Sequence, residues 1–135
     1  MNQKAQVSRS ATMAKVRNKD TTAEITVRKA LHKRGVRFRL HRRDLPGTPD
    51  IVLPRYKLAI FVHGCFWHQH KGCRRATVPQ TNTDFWQQKF MRNLSRDAKA
   101  EQELVTAGWK VVVIWECELR SSTTLDTILD SLFGP

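Results

Sequence analysis

Apolar residues recur at helical spacing in three segments of the chain. The first follows the capping-box sequence Thr21-Thr22-Ala23-Glu24 and stops at Gly35. The second predicts a long helix over residues 83–107, which Gly108 ends. The third predicts a final amphipathic helix, whose apolar positions are Leu125, Ile128, Leu129, Leu132 and Phe133. Each helix therefore has an apolar face to bury against a core.

Strand patterns fill the segments between these helices. Apolar and basic residues alternate over residues 36–41, which predicts a half-buried strand with a basic outer face. Residues 51–53 and 58–62 are continuously apolar, as interior strands are. Residues 109–115 carry Lys110 as their only charge and predict a central strand. The alternation of helix and strand indicates the α/β class, with a mixed central sheet flanked by helices.

The chain has 135 residues, which is enough for one domain with a hydrophobic core that needs no disulfide bonds. Its three cysteines cannot all pair, and no apolar signal segment opens the sequence. No apolar run approaches the length of a membrane span. We therefore expect a reducing, cytoplasmic location and no membrane partner.

The net charge of +12 is concentrated at one end of the chain. Residues 1–43 carry thirteen Lys or Arg against Asp20 and Glu24, which accounts for +11 of the total. We interpret residues 1–12 as a disordered basic arm and residues 13–135 as a single domain. In residues 13–43 apolar side chains interleave with the charges, and nucleic-acid contact is the preferred interpretation because neutralised phosphates release counterions. An anionic membrane surface is a weaker alternative.

A cluster of cysteines and histidines follows the second apolar strand. Cys65, His70 and Cys73 have the close spacing of zinc ligands, and Cys117 is the only other cysteine in the chain. A structural zinc site takes four tetrahedral thiolate and imidazole ligands, so one Cys3His site would use every cysteine. His63 and His68 would then be left for chemistry. The spacing from Cys65 to His68 also suits zinc, so His68 could be the ligand and His70 the base.

Asp50 stands at the entrance to one apolar strand, and the next strand ends at His63. A hairpin would bring Asp50 close to Val62 and His63, because neighbouring strands lie about 4.8 Å apart. A carboxylate and a backbone carbonyl are hard oxygen ligands of the kind that Mg2+ prefers. A nearby histidine could take the proton from the water that attacks phosphorus. Alternatively, Asp50 is a turn aspartate that caps backbone amides.

Three sequence motifs together resemble those of the very short patch repair (Vsr) endonucleases, which belong to the restriction-endonuclease-like superfamily. They are Leu-Pro-Gly-Thr-Pro-Asp at residues 45–50, Phe-Val-His-Gly-Cys-Phe-Trp-His at 61–68 and Ile-Trp-Glu-Cys at 114–117. The resemblance covers about residues 13–120. It departs from the family pattern at Val62, where the family often has Thr, and at residues 71–72, where the family commonly has one residue.

The resemblance implies a role for each site residue. Asp50 would bind a catalytic Mg2+ together with the backbone carbonyl of Val62, while His68 would be the general base and His63 would lie at the phosphate. Glu24 would join the active site and Asp97 would orient the base. Structural Zn2+ would fall to Cys65, His70, Cys73 and Cys117. Glu24 has an equally supported interpretation as a capping residue, and Asp97 could be an ordinary exposed helix carboxylate.

The resemblance also implies how DNA is contacted. Phe66, Trp67 and Trp86 would form an exposed wedge that enters the base stack, and Met13 would approach from the other groove. Lys15, Arg17 and Lys19 would contact phosphates. We assign the remaining large aromatics of the later segments to the core: Phe85, Phe90, Trp109 and Trp115.

The implied activity is a nick in one strand, 5′ to the thymine of a T:G mismatch left by deamination of 5-methylcytosine. The enzyme would be a monomer, acting on double-stranded DNA and functionally linked to a cytosine-5 DNA methyltransferase and to mismatch repair proteins. Two alternatives stay open. One is a sequence-specific restriction endonuclease on the same scaffold, and the other is a non-catalytic zinc DNA-binding module.

Overall fold

The computed structural model describes residues 21–134. Its helices are α1 (Thr22–Lys33), α2 (Thr83–Thr106) and α3 (Ser122–Phe133). Its strands are β1 (Arg39–Leu40), β2 (Ile51–Leu53), β3 (Leu58–His63) and β4 (Lys110–Trp115). Short 3-10 turns follow β2 at Pro54–Tyr56 and β4 at Glu116–Arg120. The predicted arm at residues 1–12, and Met13, Lys15, Arg17 and Lys19, lie outside the described residues.

The strands form one mixed sheet in the order β1-β2-β3-β4. The pairs β1–β2 and β2–β3 are antiparallel, whereas β3 and β4 run parallel. The α/β class with a mixed sheet is therefore confirmed. None of the helices in residues 21–134 has the length and apolar character needed to cross a membrane.

The core lies where α1 and α3 cover the sheet. All three residues of β2 are buried, as are the first three of β3, in keeping with their continuous apolar sequence. Val27 and Leu31 of α1 and Leu125 and Leu129 of α3 pack into the same cluster. The predicted apolar faces of these two helices are therefore the faces that the fold buries.

The predicted strand over residues 36–41 is wrong in extent. Only Arg39 and Leu40 pair with β2, and both are exposed. The backbone N–H of Val36 instead donates to the carbonyl of Leu31 (3.1 Å), which caps the end of α1. His41 then has a left-handed φ of +47°, which turns the chain out of the strand. A helix cap and a turned residue thus leave room for only a short edge strand.

The prediction of a central strand at residues 109–115 is also wrong. Strand β4 pairs only with β3 among the described strands and lies at the edge of the sheet. Its apolar sequence is explained by packing, because Ile114 joins the main core and α2 contacts the strand. Only Ile114 of β4 is buried, and Lys110 is exposed while the other four residues are half-buried, so the continuous apolar sequence overstated the burial of this strand.

The four aromatic residues that we assigned to the core differ in burial. Phe90 is buried, as predicted, whereas Phe85 is 54% exposed and the prediction for it is wrong. Trp109 and Trp115 are half-buried. Trp109 lies beneath two cations, with Lys57 Nζ at 5.3 Å and the Arg42 guanidinium at 5.9 Å from its ring. Its ring therefore serves a cation–π contact at the surface.

Candidate active site and cysteine cluster

The ends of β2 and β3 bring Asp50 to Val62 and His63. Ile51 pairs with Ile60 across the antiparallel hairpin, so Asp50 comes level with the last residues of β3. The backbone N–H of Val62 donates to Oδ2 of Asp50 at 2.7 Å. Both residues line a cavity of about 640 Å³ that also contains His63, His68 and Asp97. The predicted hairpin geometry is confirmed.

The turn before Asp50 is held in place by the close approach of Gly47 to its neighbours. Gly47 has a φ of +73°, and a Cβ atom there would lie 2.6 Å from Cβ of Ala100 and 3.2 Å from the Phe61 ring. Only glycine fits both the backbone angle and the space. The turn is thereby wedged against α2 and β3, and Asp50 follows it at a fixed position.

Loss of water around Asp50 raises the pKa of its carboxyl to about 6. The Val62 N–H lowers this pKa, the Glu24 carboxylate raises it, and His41 and His68 lower it. Ligand-type atoms of Glu24, His41 and Asp50 all lie within 4.8 Å of one another. The carboxylates of Asp50 and Glu24 lie close together, and Asp50 is poorly hydrated. A cation beside them would stabilise their ionised forms, so these residues fit a divalent metal such as Mg2+.

His63 and His68 are stacked face to face in the same cavity. Their ring centroids are 3.7 Å apart and their planes differ by 2°. Nδ1 of His68 lies 2.6 Å from Oδ2 of Asp97, which leaves Nε2 as the nitrogen able to take a proton. Asp97 is thus placed on the histidine that the resemblance names as the base, and it is not paired with Arg96, which donates to Asn93.

His63 is buried, and its Nδ1 atom has no hydrogen-bond partner among residues 21–134. Burial, together with the neighbouring His68, lowers the pKa of His63 to about 4. The ring is therefore neutral near pH 7. Nδ1 is itself shielded from the cavity, so a substrate oxygen would meet the ring at its other nitrogen, Nε2.

Cys65, His70, Cys73 and Cys117 converge into a second cluster, with their ligand atoms all within 4.8 Å of one another. Nδ1 of His70 lies 3.4 Å from Sγ of Cys117 and 3.7 Å from Sγ of Cys65. Tetrahedral zinc separates sulfur and nitrogen ligands by about 3.5 Å. Burial raises the pKa of the Cys65 thiol to about 12, so its thiolate form needs a cation beside it. The donor set fits Zn2+.

The geometry distinguishes between the two histidines. His70 lies among the cysteines, whereas His68 is bonded to Asp97. Gly72 has a φ of +76° and open space on the side where a Cβ would lie, and it makes the tight turn that returns Cys73 to His70. This turn takes up the additional residue before Cys73.

The parallel strands explain why the cluster forms. His63 is level with Trp115, and Cys65 and Cys117 each follow two residues later. The carboxyl ends of parallel strands meet at one edge of a sheet. The His70 ring stacks on Trp115 at 4.0 Å with an interplanar angle of 8°. The backbone N–H of Cys65 donates to Oε1 of Glu116 at 3.1 Å, which further ties the loop to β4.

The aromatic residues of the loop pack against the start of α2. Phe66, Trp86 and Phe90 form a buried cluster, and Trp67 packs against it. The expectation of an exposed wedge is therefore wrong for Phe66 (8% exposed) and Trp86 (7% exposed). The two consecutive aromatics are both accommodated because they meet edge to face, with centroids 5.2 Å apart. Trp67 is half-buried, with Lys89 Nζ 5.6 Å from its ring centroid.

Comparison with known proteins shows the family of this chain. A family sequence profile described as "DNA mismatch endonuclease Vsr" matches residues 1–75. A protein of Xanthomonas oryzae, "Type II nicking enzyme V.XorIIP", is 49% identical over 123 residues, which is 91% of this chain and 90% of that protein. The chain belongs to the Vsr family. The Escherichia coli "DNA mismatch endonuclease Vsr" is 40% identical over 87% of this chain and 75% of its own length. A Neisseria meningitidis protein, "Type II nicking enzyme V.NmeAIP", is 47% identical over 84% of this chain and 80% of its own.

Glu24 forms hydrogen bonds through both its backbone and its side chain. Its backbone N–H donates to Oγ1 of Thr21 at 3.1 Å, so the predicted N-cap is confirmed. Its carboxylate does not close a capping box but bonds to Arg28 and, at 2.7 Å, to Nε2 of His41. Glu24 is 2% exposed and lies behind the cavity wall, in contact with His41, which lines the cavity.

Sequence reasoning missed several residues of the Vsr cavity. His41 stands in the sequence as part of a basic strand face, yet it lines the cavity with Asn93 and Arg96. Asn93 donates from Nδ2 to the carbonyl of Trp67 at 2.9 Å and so anchors the aromatic loop to α2. The sequence did contain a signal that Asn93 belongs to the cavity, because Asn93 and Asp97 are four residues apart on α2 and therefore share a helix face.

Proposed function

We propose that this Vsr-family chain is a DNA endonuclease that cuts one strand 5′ to the thymine of a T:G mismatch produced by deamination of 5-methylcytosine. The observation that carries the proposal is the arrangement in one cavity of Asp50, the stacked His63–His68 pair and Asp97. The family profile and the E. coli relative, which bears the name "DNA mismatch endonuclease Vsr", support the substrate class.

His63 and His68 have different roles in the proposed hydrolysis. With Nδ1 held by Asp97 at 2.6 Å, Nε2 of His68 takes the proton of the attacking water. His63 is neutral and stacked on His68, and the N–H at its Nε2 donates to an oxygen of the scissile phosphate. Stacking holds the two rings in one orientation, so base and phosphate ligand stay in register with each other.

Asp50 is the principal ligand for Mg2+, with the Val62 backbone carbonyl as a second protein ligand and Glu24 nearby. When bound, Mg2+ supplies positive charge that stabilises the negative charge developing on the phosphate. A carbonyl ligand requires no particular side chain, so Val62 serves as well as Thr. The wedged turn at Gly47 keeps the Asp50 carboxylate at its place against the Val62 N–H.

Zn2+ at Cys65, His70, Cys73 and Cys117 has a structural role in this proposal. Cys65 and His70 flank His68 in the sequence, so ligation at both would fix the loop that carries the base. The preformed approach of the four side chains supports this assignment.

DNA is proposed to be held by Lys15, Arg17 and Lys19 at phosphates, with Met13 entering one groove and the aromatic residues Phe66, Trp67 and Trp86 the other. Because Phe66 and Trp86 are buried, their insertion requires the loop to separate from the start of α2, while half-buried Trp67 is already accessible in part. A weakly paired mismatch lowers the energy needed to open the base stack. Action as a cytoplasmic monomer, linked to a cytosine-5 methyltransferase and mismatch repair proteins, stays a prediction.

A second candidate is cleavage of intact DNA at a specific sequence. Relatives at 49% and 47% identity bear the name "Type II nicking enzyme", which favours a single-strand nick over the double-strand cut of a restriction endonuclease. A non-catalytic zinc module needs no cation-binding Asp50 beside two stacked histidines, and the cavity argues against it.

The decisive experiment is a nicking assay on duplexes with either strand labelled, comparing T:G with C:G pairs in Mg2+ or EDTA. We expect a nick only in the thymine strand of the T:G duplex and only with Mg2+. Asp50→Asn should abolish it while duplex affinity is retained, and Asp44→Asn, at an exposed carboxylate that pairs with Arg42, is the control. Linear product from matched plasmid would favour the restriction alternative, and no cleavage of any duplex would refute the proposal.

A further inference from the structure

His41 lines the cavity beside Asp50 and contacts Glu24 behind the cavity wall, and it has none of the roles proposed above. Its Nε2 is 2.7 Å from Oε2 of Glu24, and Arg28 bonds to the same oxygen. Its ring and the carboxylates of Glu24 and Asp50 come within 4.8 Å of one another. His41 therefore belongs to the group formed with Glu24 and Asp50, whereas Asp97 pairs with His68.

The backbone of His41 contacts Asp50 directly. Its N–H donates to the Asp50 carbonyl at 3.1 Å, which extends the β1–β2 ladder one residue beyond the Leu40–Ile51 pair. Its φ of +47° is a left-handed angle that residues with a Cβ rarely adopt. Such a backbone persists where contacts on several sides hold it. Here the main chain is held by Asp50 and the side chain by Glu24.

We propose that His41 is a positioning residue that fixes Glu24 relative to Asp50 so that the two carboxylates form one cation-binding edge. The inference rests on the proposed endonuclease function. Two like charges this close repel each other, and Glu24 is nearly fully buried, so its carboxylate needs donors on the protein side. Arg28 supplies one donor from α1, and His41 supplies the donor from the strand that carries the contact to Asp50. The histidine is thereby the link between the helix and the hairpin.

The test separates the side-chain contact from the backbone. His41→Asn tolerates a left-handed φ but is too short for its amide to reach Glu24, whereas His41→Gln has a longer amide that can donate to it. His32→Ala is the matched control, since His32 is an exposed histidine outside the cavity, and its ring is tilted against Phe38 at 5.2 Å. Each variant is assayed for thermal unfolding, duplex affinity, single-turnover nicking of the T:G duplex and Mn2+ affinity by electron paramagnetic resonance.

We expect His41→Asn to weaken Mn2+ binding and to slow nicking, each by about 10- to 100-fold, as loss of an outer partner of a metal ligand does. Its unfolding temperature and duplex affinity should match those of His32→Ala. His41→Gln should recover most of both losses.

Wild-type Mn2+ affinity and nicking in His41→Asn would overturn the inference. Equal losses in His41→Asn and His41→Gln would overturn it too, as would losses that follow a lowered unfolding temperature. If the wild-type chain binds Mn2+ but nicks no T:G duplex, the proposed function fails, and the Mn2+ comparison still decides the role of His41.

Discussion

Replacement of Gly47 by alanine tests whether the turn before Asp50 is held as tightly as described. A Cβ atom at a φ of +73° is disfavoured by about 1–2 kcal/mol. The same atom would lie 2.6 Å from Cβ of Ala100, so backbone or helix must move, and overpacking of this kind costs about 1–3 kcal/mol. We therefore expect a loss of about 2–5 kcal/mol in the free energy of unfolding.

The chain contains a matched control for this substitution. Gly35 has the same φ of +73° but nothing within 4 Å of its Cβ position, so Gly35→Ala carries only the backbone cost. Equilibrium unfolding in urea should place Gly47→Ala about 1–3 kcal/mol below Gly35→Ala. For a chain of this size each kcal/mol corresponds to roughly 3–5 °C in the unfolding temperature.

Catalysis should be impaired as well as stability. The new methyl group pushes the turn from α2 and β3, and Asp50 moves with it, so single-turnover nicking at a temperature where both variants are folded should fall by about 10²-fold in Gly47→Ala. Gly35→Ala should nick at the wild-type rate. Equal stability of the two variants, or equal nicking rates per folded molecule, would refute the close packing of this turn.

Three further predictions concern the two clusters and the aromatic loop. Because the pKa of Asp50 is raised to about 6, its carboxylate is lost as the pH falls through 6. The affinity for Mn2+, measured by electron paramagnetic resonance, should therefore fall by about tenfold per pH unit below that value, and an affinity that stays constant through this range would contradict the prediction. Loss of a zinc ligand in Cys117→Ser or His70→Ala should release Zn2+ and abolish cooperative unfolding, whereas His68→Ala should retain both. Elemental analysis measures the zinc and calorimetry the unfolding. Zinc release from His68→Ala alone would reverse the assignment of the two histidines. Trp67→Ala should reduce the preference for T:G over matched duplex by about tenfold without unfolding the chain. Phe66→Ala, which empties a buried position, should instead lower the free energy of unfolding by about 3–5 kcal/mol. If Trp67→Ala lost equal affinity for both duplexes, a stacking role for Trp67 would be excluded.

Contacts within the hairpin and between strand ends could be predicted from the sequence. Asp50 meets Val62 because a short antiparallel pair has its register set by local chain length. Cys65 and Cys117 meet because each follows an apolar strand at the same distance. These are consequences of strand periodicity, which the order of apolar residues records.

Contacts that depend on a single backbone angle or on helix docking were not predictable in this way. His41 reaches Glu24 from a backbone with a left-handed φ, and a single histidine does not predict that angle even though histidine adopts it more often than most residues. Phe66 is buried because the start of α2 lies over the loop, and the sequence of the loop is the same whether or not a helix covers it. The edge position of β4 was missed for the same reason, since packed helices and a further strand demand the same apolar residues.

Alignment of β3 with β4 decides whether the four zinc-type ligands can meet during folding. A slip of one residue would move Cys117 by about 3.3 Å along the strand and turn its side chain to the opposite face. His70 and Cys117 are 47 residues apart in the chain, and pairings over such separations form late because a long loop must first close. A chain whose thiols have converged on His70 has therefore already found the correct strand register. A misaligned chain keeps Cys117 apart from Cys65 and Cys73, so capture of the proposed Zn2+ would act as a check on folding.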